Sequence, residues 1–310
     1  LSTGSFHGLY PSSHGIVGNH MFDPNMTPAQ DRIFHRGNPA SFNPKWWGGE
    51  PIWNTAMKNG YRSAVMFWPG SEIAIQGMRP TYFHKYDDKY PLYRRPDHVI
   101  DWLLMPESER PQVINAYFNQ PDQNGHHFGP DSGQVNDSLI LLDSIFGRFY
   151  DRLVEEDLLS CVNIIVVADH GMQLLSGEKV FLNDYFNTDG MQIFGGTFGQ
   201  ISVANNSLTP DQVVDRLRCR RPFMQPYKRT ELPVRMHDSS NIRAGDVIVD
   251  LDPSNTIYER PDPSEYDTGS HGYDFRDETM RAIFMAHGPS FKRAYRMKPF
   301  QNIELYDLYS

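Results

Sequence analysis

Asn163-Ile164-Ile165-Val166-Val167-Ala168-Asp169-His170-Gly171 is the stretch on which the reading of this chain turns. Its apolar run, rich in β-branched residues and unbroken by polar ones, has the pattern of a central parallel strand covered on both faces. Two titratable residues follow at once, and a glycine lets the backbone turn sharply beneath them. Folds that mix helices with a parallel sheet place their chemistry at the carboxyl ends of the strands. Two readings of Asp169-His170 stand at this point. They are metal ligands, or Asp169 caps a following helix with His170 packed beside it.

Upstream, Val135, Leu139, Leu142, Ile145, Phe149 and Leu153 recur at spacings of three and four and predict an amphipathic helix packed on the sheet. Val113–Phe118 predicts a buried strand, followed by a loop carrying Asp122 and His126. A strand is expected at Ser63–Phe67, turned by Trp68-Pro69-Gly70, with helices near Pro51–Lys58 and over Asp97–Leu104. Residues 77–96 form a tyrosine-rich surface segment. Thr27-Pro28-Ala29-Gln30 and Thr209-Pro210-Asp211-Gln212 each carry a helix start with a capping-box glutamine. Val247–Leu251 and Ala282–Ala286 complete the strand candidates. The order of strand, polar loop and helix indicates an α/β sandwich on a mostly parallel sheet, in one main domain.

Composition narrows the function. The formal net charge of −9 disfavours a stable complex with nucleic-acid backbone, which needs a cationic surface. Arg94-Arg95 and Arg218, Arg220 and Arg221 read as solvated clusters. No apolar run is long enough to span a membrane. Cys161 and Cys219 make neither a disulfide framework nor a cysteine-rich metal site. Sequons at Asn25, Asn136 and Asn205 lean gently toward secretion. The chain lacks the two-histidine helix of zinc proteases, the nucleophile elbow of serine hydrolases and the phosphate-cradling loop of P-loop proteins.

What it has is a dispersed set of ordinary zinc ligands: Asp122 and His126, then Asp169 and His170, then His271 between glycines in Gly269-Ser270-His271-Gly272. Each pair alone is also explained by an Asx turn or a packed histidine. Together they supply two aspartates and three histidines from separate loops. Asn19 offers an amide that suits a phosphate oxygen or an Asn turn. Trp68, Tyr82, Phe83, Tyr86 and Tyr90 offer aromatic faces for a flat base.

These residues resemble the catalytic domain of the ectonucleotide pyrophosphatase/phosphodiesterase family, in the alkaline-phosphatase superfamily. The matching text runs from Gly8-Leu9-Tyr10-Pro11 and Ser13-His14-Gly15-Ile16-Val17-Gly18-Asn19 through Phe67-Trp68-Pro69-Gly70-Ser71. It continues through Gln120-Pro121-Asp122, Ala168-Asp169-His170-Gly171-Met172 and Ser270-His271-Gly272-Tyr273 to Asn302-Ile303-Glu304-Leu305-Tyr306. The resemblance implies an alkaline-phosphatase-like α/β/α sandwich and two Zn2+. Asp122, His126 and His271 would hold one ion, and Asp169 and His170 part of the other.

It also implies a small nucleotide or phosphodiester substrate, attacked in line by a metal-activated threonine, with a nucleoside 5′-monophosphate as product. Asn19 would contact the phosphoryl oxygen, and Trp68 and Tyr86 the nucleoside. The family pattern puts the nucleophilic threonine, a further aspartate and the first core strand upstream of Leu1, so no catalytic nucleophile is assigned within this sequence. Thr3 and Ser5 are poor substitutes for it. Two alternatives accompany this reading: hydrolysis of lysophospholipids, and an inactive metal-binding homologue. The resemblance further implies an extracellular setting, secreted or membrane-anchored. Cys161 matches a disulfide cysteine whose partner before His271 is missing, and Cys219 one that pairs with a C-terminal nuclease-like domain.

Overall fold

A computed structural model describes residues 7–35 and 37–309; Thr3 and Ser5 lie outside them. The parallel element is a sheet of Ser63–Met66 (β3) flanked by Tyr82–His84 (β4) and Val113–Ala116 (β5), in the order β4-β3-β5. β3 is buried throughout, whereas β5 is half-buried rather than fully enclosed. Among the described residues β5 pairs along one side only.

Ile164–Val167 (β6) differs from expectation in the same way. It is a strand as its apolar run requires, but its neighbour is Phe284–His287 (β15), paired antiparallel, and its four residues are half-buried. A run of apolar residues reports a two-sided position in a sheet; it carries no information on the direction of the neighbour.

The largest sheet is antiparallel: Met224–Lys228 (β11), Val247–Leu251 (β12), Gly199–Ser202 (β10) and Gln192–Phe194 (β9), in that order. Its inward residues Ile201, Val247 and Val249 meet Val213, Val214 and Leu217 of the helix Pro210–Leu217 in the main apolar core. That helix starts where the capping box places it. Thr209 accepts from Gln212 N–H at 3.3 Å, and Gln212 returns the bond to Thr209 N–H at 2.9 Å. Smaller pairs complete the sheets: His20–Phe22 with Ile33–His35 (β1, β2), Lys179–Phe181 with Thr256–Tyr258 (β8, β13), and Gln173–Leu174 with Gly269–Ser270 (β7, β14).

Among the described residues the helices are Pro11–His14 (α1), Ile52–Lys58 (α2), Arg94–Leu103 (α3), Asp122–Phe128 (α4), Gly133–Glu155 (α5), Pro210–Leu217 (α6) and Leu305–Tyr309 (α7). Several places depart from the sequence reading. The start at Thr27-Pro28-Ala29-Gln30 yields one 3-10 turn, Ala29–Asp31, because Ile33-Phe34-His35 bury Phe34 as a strand against Met21 instead. Helix α3 begins at Arg94, and it carries the second correction: Arg95 is fully buried, not solvated. Its guanidinium donates to the Tyr117 carbonyl at 2.6 Å and lies 4.9 Å from the Phe67 ring centroid. On α5, Val135, Ile145 and Leu153 are buried, but Leu139 faces solvent together with Ile140, Leu141 and Val154. No described helix is long and apolar enough to cross a membrane. Cys161 and Cys219 are exposed free thiols.

Candidate metal centre

Asp122 and His126 sit on α4, where a loop was expected. Pro121 opens the turn without needing a donor, and Asp122 in the first turn is favoured by the positive end of the helix dipole. Gly125 and the polar flanks made this short helix look like a turn. The consequence is geometric. Spacing of i,i+4 brings Asp122 and His126 onto one face, with His126 Nε2 3.5 Å from Asp122 Oδ1.

The other ligands arrive on the segment after β6 and the segment after β14. The β7–β14 ladder pairs Gly269 with Leu174 and Ser270 with Gln173, so His271 lands beside the strand exit that carries Asp169 and His170. Close approach is demanded twice here. A Cβ on Gly171 would stand 1.9 Å from the Thr279 carbonyl oxygen, and one on Gly269 2.4 Å from that of Gly125. The Thr197 hydroxyl holds the His271 backbone by donating to its carbonyl at 2.8 Å.

Asp122 Oδ1 is the hub of the assembly. It lies 3.8 Å from His170 Nε2 and 3.7 Å from His271 Nε2, and His170 Nε2 lies 3.4 Å from Asp169 Oδ2. Ligand atoms of Asp122, His170 and His271 all fall within 4.8 Å of one another. The His170 and His271 rings stack with centroids 3.3 Å apart.

Hydrogen bonds fix which ring nitrogens are free. His126 Nδ1 faces the Gly269 carbonyl at 2.9 Å, and His170 Nδ1 faces the Gly171 carbonyl at 2.8 Å. A carbonyl oxygen only accepts, so each Nδ1 carries a proton and Nε2 is the nitrogen left facing the Asp122 carboxylate. Burial, reinforced by the neighbouring His170 and His126, pushes His271 down to about 2, so its imidazole is neutral. For His126 the hydrogen bond to Asp267 raises the pKa, against the opposing effect of burial. The donor set, imidazole nitrogen with carboxylate oxygen, fits a divalent metal of the zinc type.

The centre opens on a cavity of about 1650 Å³, walled in part by Asn19, His126, Asp169, His170 and His271. Asn19 is exposed on this wall, just before β1. Trp68 and Tyr86 pack on different apolar clusters. Trp68 packs on the cluster of Ile52, Trp53, Val65, Ile73 and Ile75, while Tyr86 joins Phe67, Met66 and Trp102, edge-on to Phe67 at 5.7 Å. Tyr86 is anchored through its backbone N–H, which donates to Glu72 at 2.7 Å.

A family model described as type I phosphodiesterase / nucleotide pyrophosphatase matches residues 7–274. The chain belongs to this family. Ectonucleotide pyrophosphatase/phosphodiesterase family member 3 of Rattus norvegicus is 37% identical over 309 residues, covering 97% of this chain and 35% of the relative. Venom phosphodiesterase 2 of Crotalus adamanteus is 36% identical over 309 residues, covering 97% of this chain and 38% of the relative. The chain thus spans little more than a third of the length of these curated relatives.

Among solved structures, murine ectonucleotide pyrophosphatase/phosphodiesterase 5 superimposes with a TM-score of 0.91 at 28% identity, over 99% of this chain and 81% of that one. An inactive form of the same murine protein, in complex with AMP, superimposes equally well. The phosphodiesterase family is one of metal-dependent hydrolases, and its alkaline-phosphatase-like mixed α/β fold is the one this chain adopts. The cluster around Asp122 is therefore a candidate metal site within an enzyme family.

Of the residues expected from sequence, Asp122, His126, Asp169, His170 and His271 lie beside one another, and Asn19 lines the same cavity as four of them. Asp267 was missed. It lies 3.1 Å from His126 Nδ1. Its position four residues before His271 was the only hint available.

Proposed function

We propose that this chain is the catalytic region of an extracellular nucleotide pyrophosphatase/phosphodiesterase that uses two Zn2+. The enzyme releases nucleoside 5′-monophosphates from nucleotides, dinucleotides or oligonucleotide ends. The observation that carries this reading is the convergence of Asp122, His170 and His271 within 4.8 Å in a chain of this family. Asp122, His126 and His271 hold one ion; Asp169 and His170 contribute to the second. When bound, the two cations neutralise phosphate charge and lower the pKa of the attacking hydroxyl.

The chain's own residues then have distinct tasks. The two aspartates supply the negative charge that retains the cations. The imidazoles of His126 and His170 supply ring nitrogens whose orientation is set by the Gly269 and Gly171 carbonyls. Asn19 donates its side-chain amide to a phosphoryl oxygen, a role supported by its exposure on the cavity wall. Tyr86 and Trp68 contact the nucleoside. In the family pattern the attacking group is a threonine, and none is assigned to that role within this sequence. A nuclease-like domain on the C-terminal side, reached through Cys219, belongs to the same proposal.

The test has two stages. The 310-residue chain is loaded with zinc, and its metal content is measured before and after Asp122→Ala and His271→Ala. The protein carrying the upstream segment is then assayed on the nitrophenyl ester of thymidine 5′-phosphate, on ATP and on lysophosphatidylcholine. Nitrophenol release that chelation abolishes, with ATP strongly preferred over the lipid, is the expected result. Dominant choline release would overturn the substrate class, and bound zinc without any turnover would make the chain a binding module.

A further inference from the structure

The tripeptide Asp267-Thr268-Gly269 grips His126 at three points. Thr268 N–H donates to the His126 carbonyl at 2.8 Å, which fixes the end of α4 against the start of β14. The Gly269 carbonyl accepts from His126 Nδ1–H at 2.9 Å, and Asp267 Oδ2 lies 3.1 Å from the same nitrogen. One N–H is therefore shared between two acceptors, one of them a carboxylate. The opposite ring nitrogen faces Asp122 at 3.5 Å.

We infer that Asp267 is a positioning residue of the metal centre: its carboxylate shares the Nδ1 proton of His126 with the Gly269 carbonyl, so that Nε2 is held as a more basic metal ligand. This inference rests on the metal-centre reading above. The carbonyl alone selects the tautomer. The carboxylate adds negative charge behind the ring, which strengthens electron donation from the far nitrogen. The side chain of Asp267 is 48% exposed, so solvent screens that charge. The effect then belongs at the weak end of the 10- to 100-fold range typical of carboxylates behind a metal-bound histidine, about tenfold.

The experiment measures zinc affinity of the 310-residue chain by competition with a chromophoric chelator. The wild type is compared with Asp267→Ala, Asp267→Asn and, as a ligand-loss control, His126→Ala. Thermal melting of each metal-stripped protein is recorded in parallel. Asp267→Ala is expected to bind zinc about tenfold more weakly with its metal-free melting unchanged. Asp267→Asn, which keeps an acceptor but loses the charge, should fall between it and the wild type. Wild-type affinity in Asp267→Ala overturns the inference alone, as does a lowered metal-free melting point with unaltered affinity in the folded fraction. A wild type that binds no zinc overturns the metal-centre reading and this inference together.

Discussion

His271 has its charge removed by its surroundings rather than by solution pH, and this leaves its imidazole free of the proton that would compete with a cation. Burial and two neighbouring imidazoles hold it neutral far below the ordinary histidine range, so no proton competes with a cation there at pH 7. Metal bound only by the folded state stabilises it by about 2.7 kcal/mol when its concentration is a hundred times the dissociation constant. Stripping with EDTA is therefore expected to lower the melting temperature of the wild type and to leave that of His271→Ala unchanged, as scanning calorimetry would record. At this scale much of the site was legible. Asp169-His170-Gly171 announced itself by following an apolar strand, and Gly171 is required by the Thr279 carbonyl that crowds it. Asp267 was not legible, because its meaning depends on His126, which lies 141 residues away in the chain. Arg95 misled for a related reason: a cation can be buried when carbonyls and aromatic faces surround it, and neither is visible from its neighbours in sequence.

Among the elements, α6 shows how local chemistry can settle a boundary. Both halves of its capping box form, and the helix buries Val213, Val214 and Leu217. Thr209→Ala leaves a helix N–H without its acceptor and is expected to cost about 1 kcal/mol, measurable as a lower urea midpoint with unchanged slope. The same signature at Thr27 produced only a turn. The residues after it have no apolar face at helical spacing, and β1–β2 pairing took them instead. Helix α4 is the opposite case: too short for periodicity to show, it forms with its C-terminal end held, at Thr268 and at Gly129. Strand positions were read to within a few residues, as β12 at Val247–Leu251 illustrates. Strand partners were not, since pairing is decided by residues distant in sequence.

At the level of the whole molecule, acid should weaken the fold before its carboxylates titrate. Burial pushes His7 down to about 4, and burial together with His7 pushes His14 down to about 3. His14 Nδ1 accepts from Ile16 N–H at 3.2 Å, a bond that protonation would abolish. Below the ordinary histidine pKa of about 6.5 the unfolded chain takes up these two protons and the folded chain does not, so stability falls as pH drops. Asp238, pushed up to about 7 by burial, acts with the opposite sign, because its folded form takes up the proton first. His271, His20 and His84, also lowered by burial, act in the same direction as His7 and His14, so stability falls on balance as pH drops from about 6.5 to 4. Urea midpoints of the zinc-loaded chain at pH 6.5 and 5.0 would test this, and His14→Gln should flatten the dependence.

The apolar outer face of α5 has a colloidal consequence. The solvent-facing Ile140, Leu141 and Val154 form an adhesive surface for another chain. A net charge of −9 opposes such contact through long-range repulsion, but salt screens that repulsion within about 8 Å at physiological ionic strength. Light scattering should therefore find the 310-residue chain dispersed in dilute buffer and increasingly associated as sodium chloride and protein concentration rise. Ile140→Lys is expected to delay that clustering without altering zinc uptake, which would make it a practical solubility variant for handling the chain.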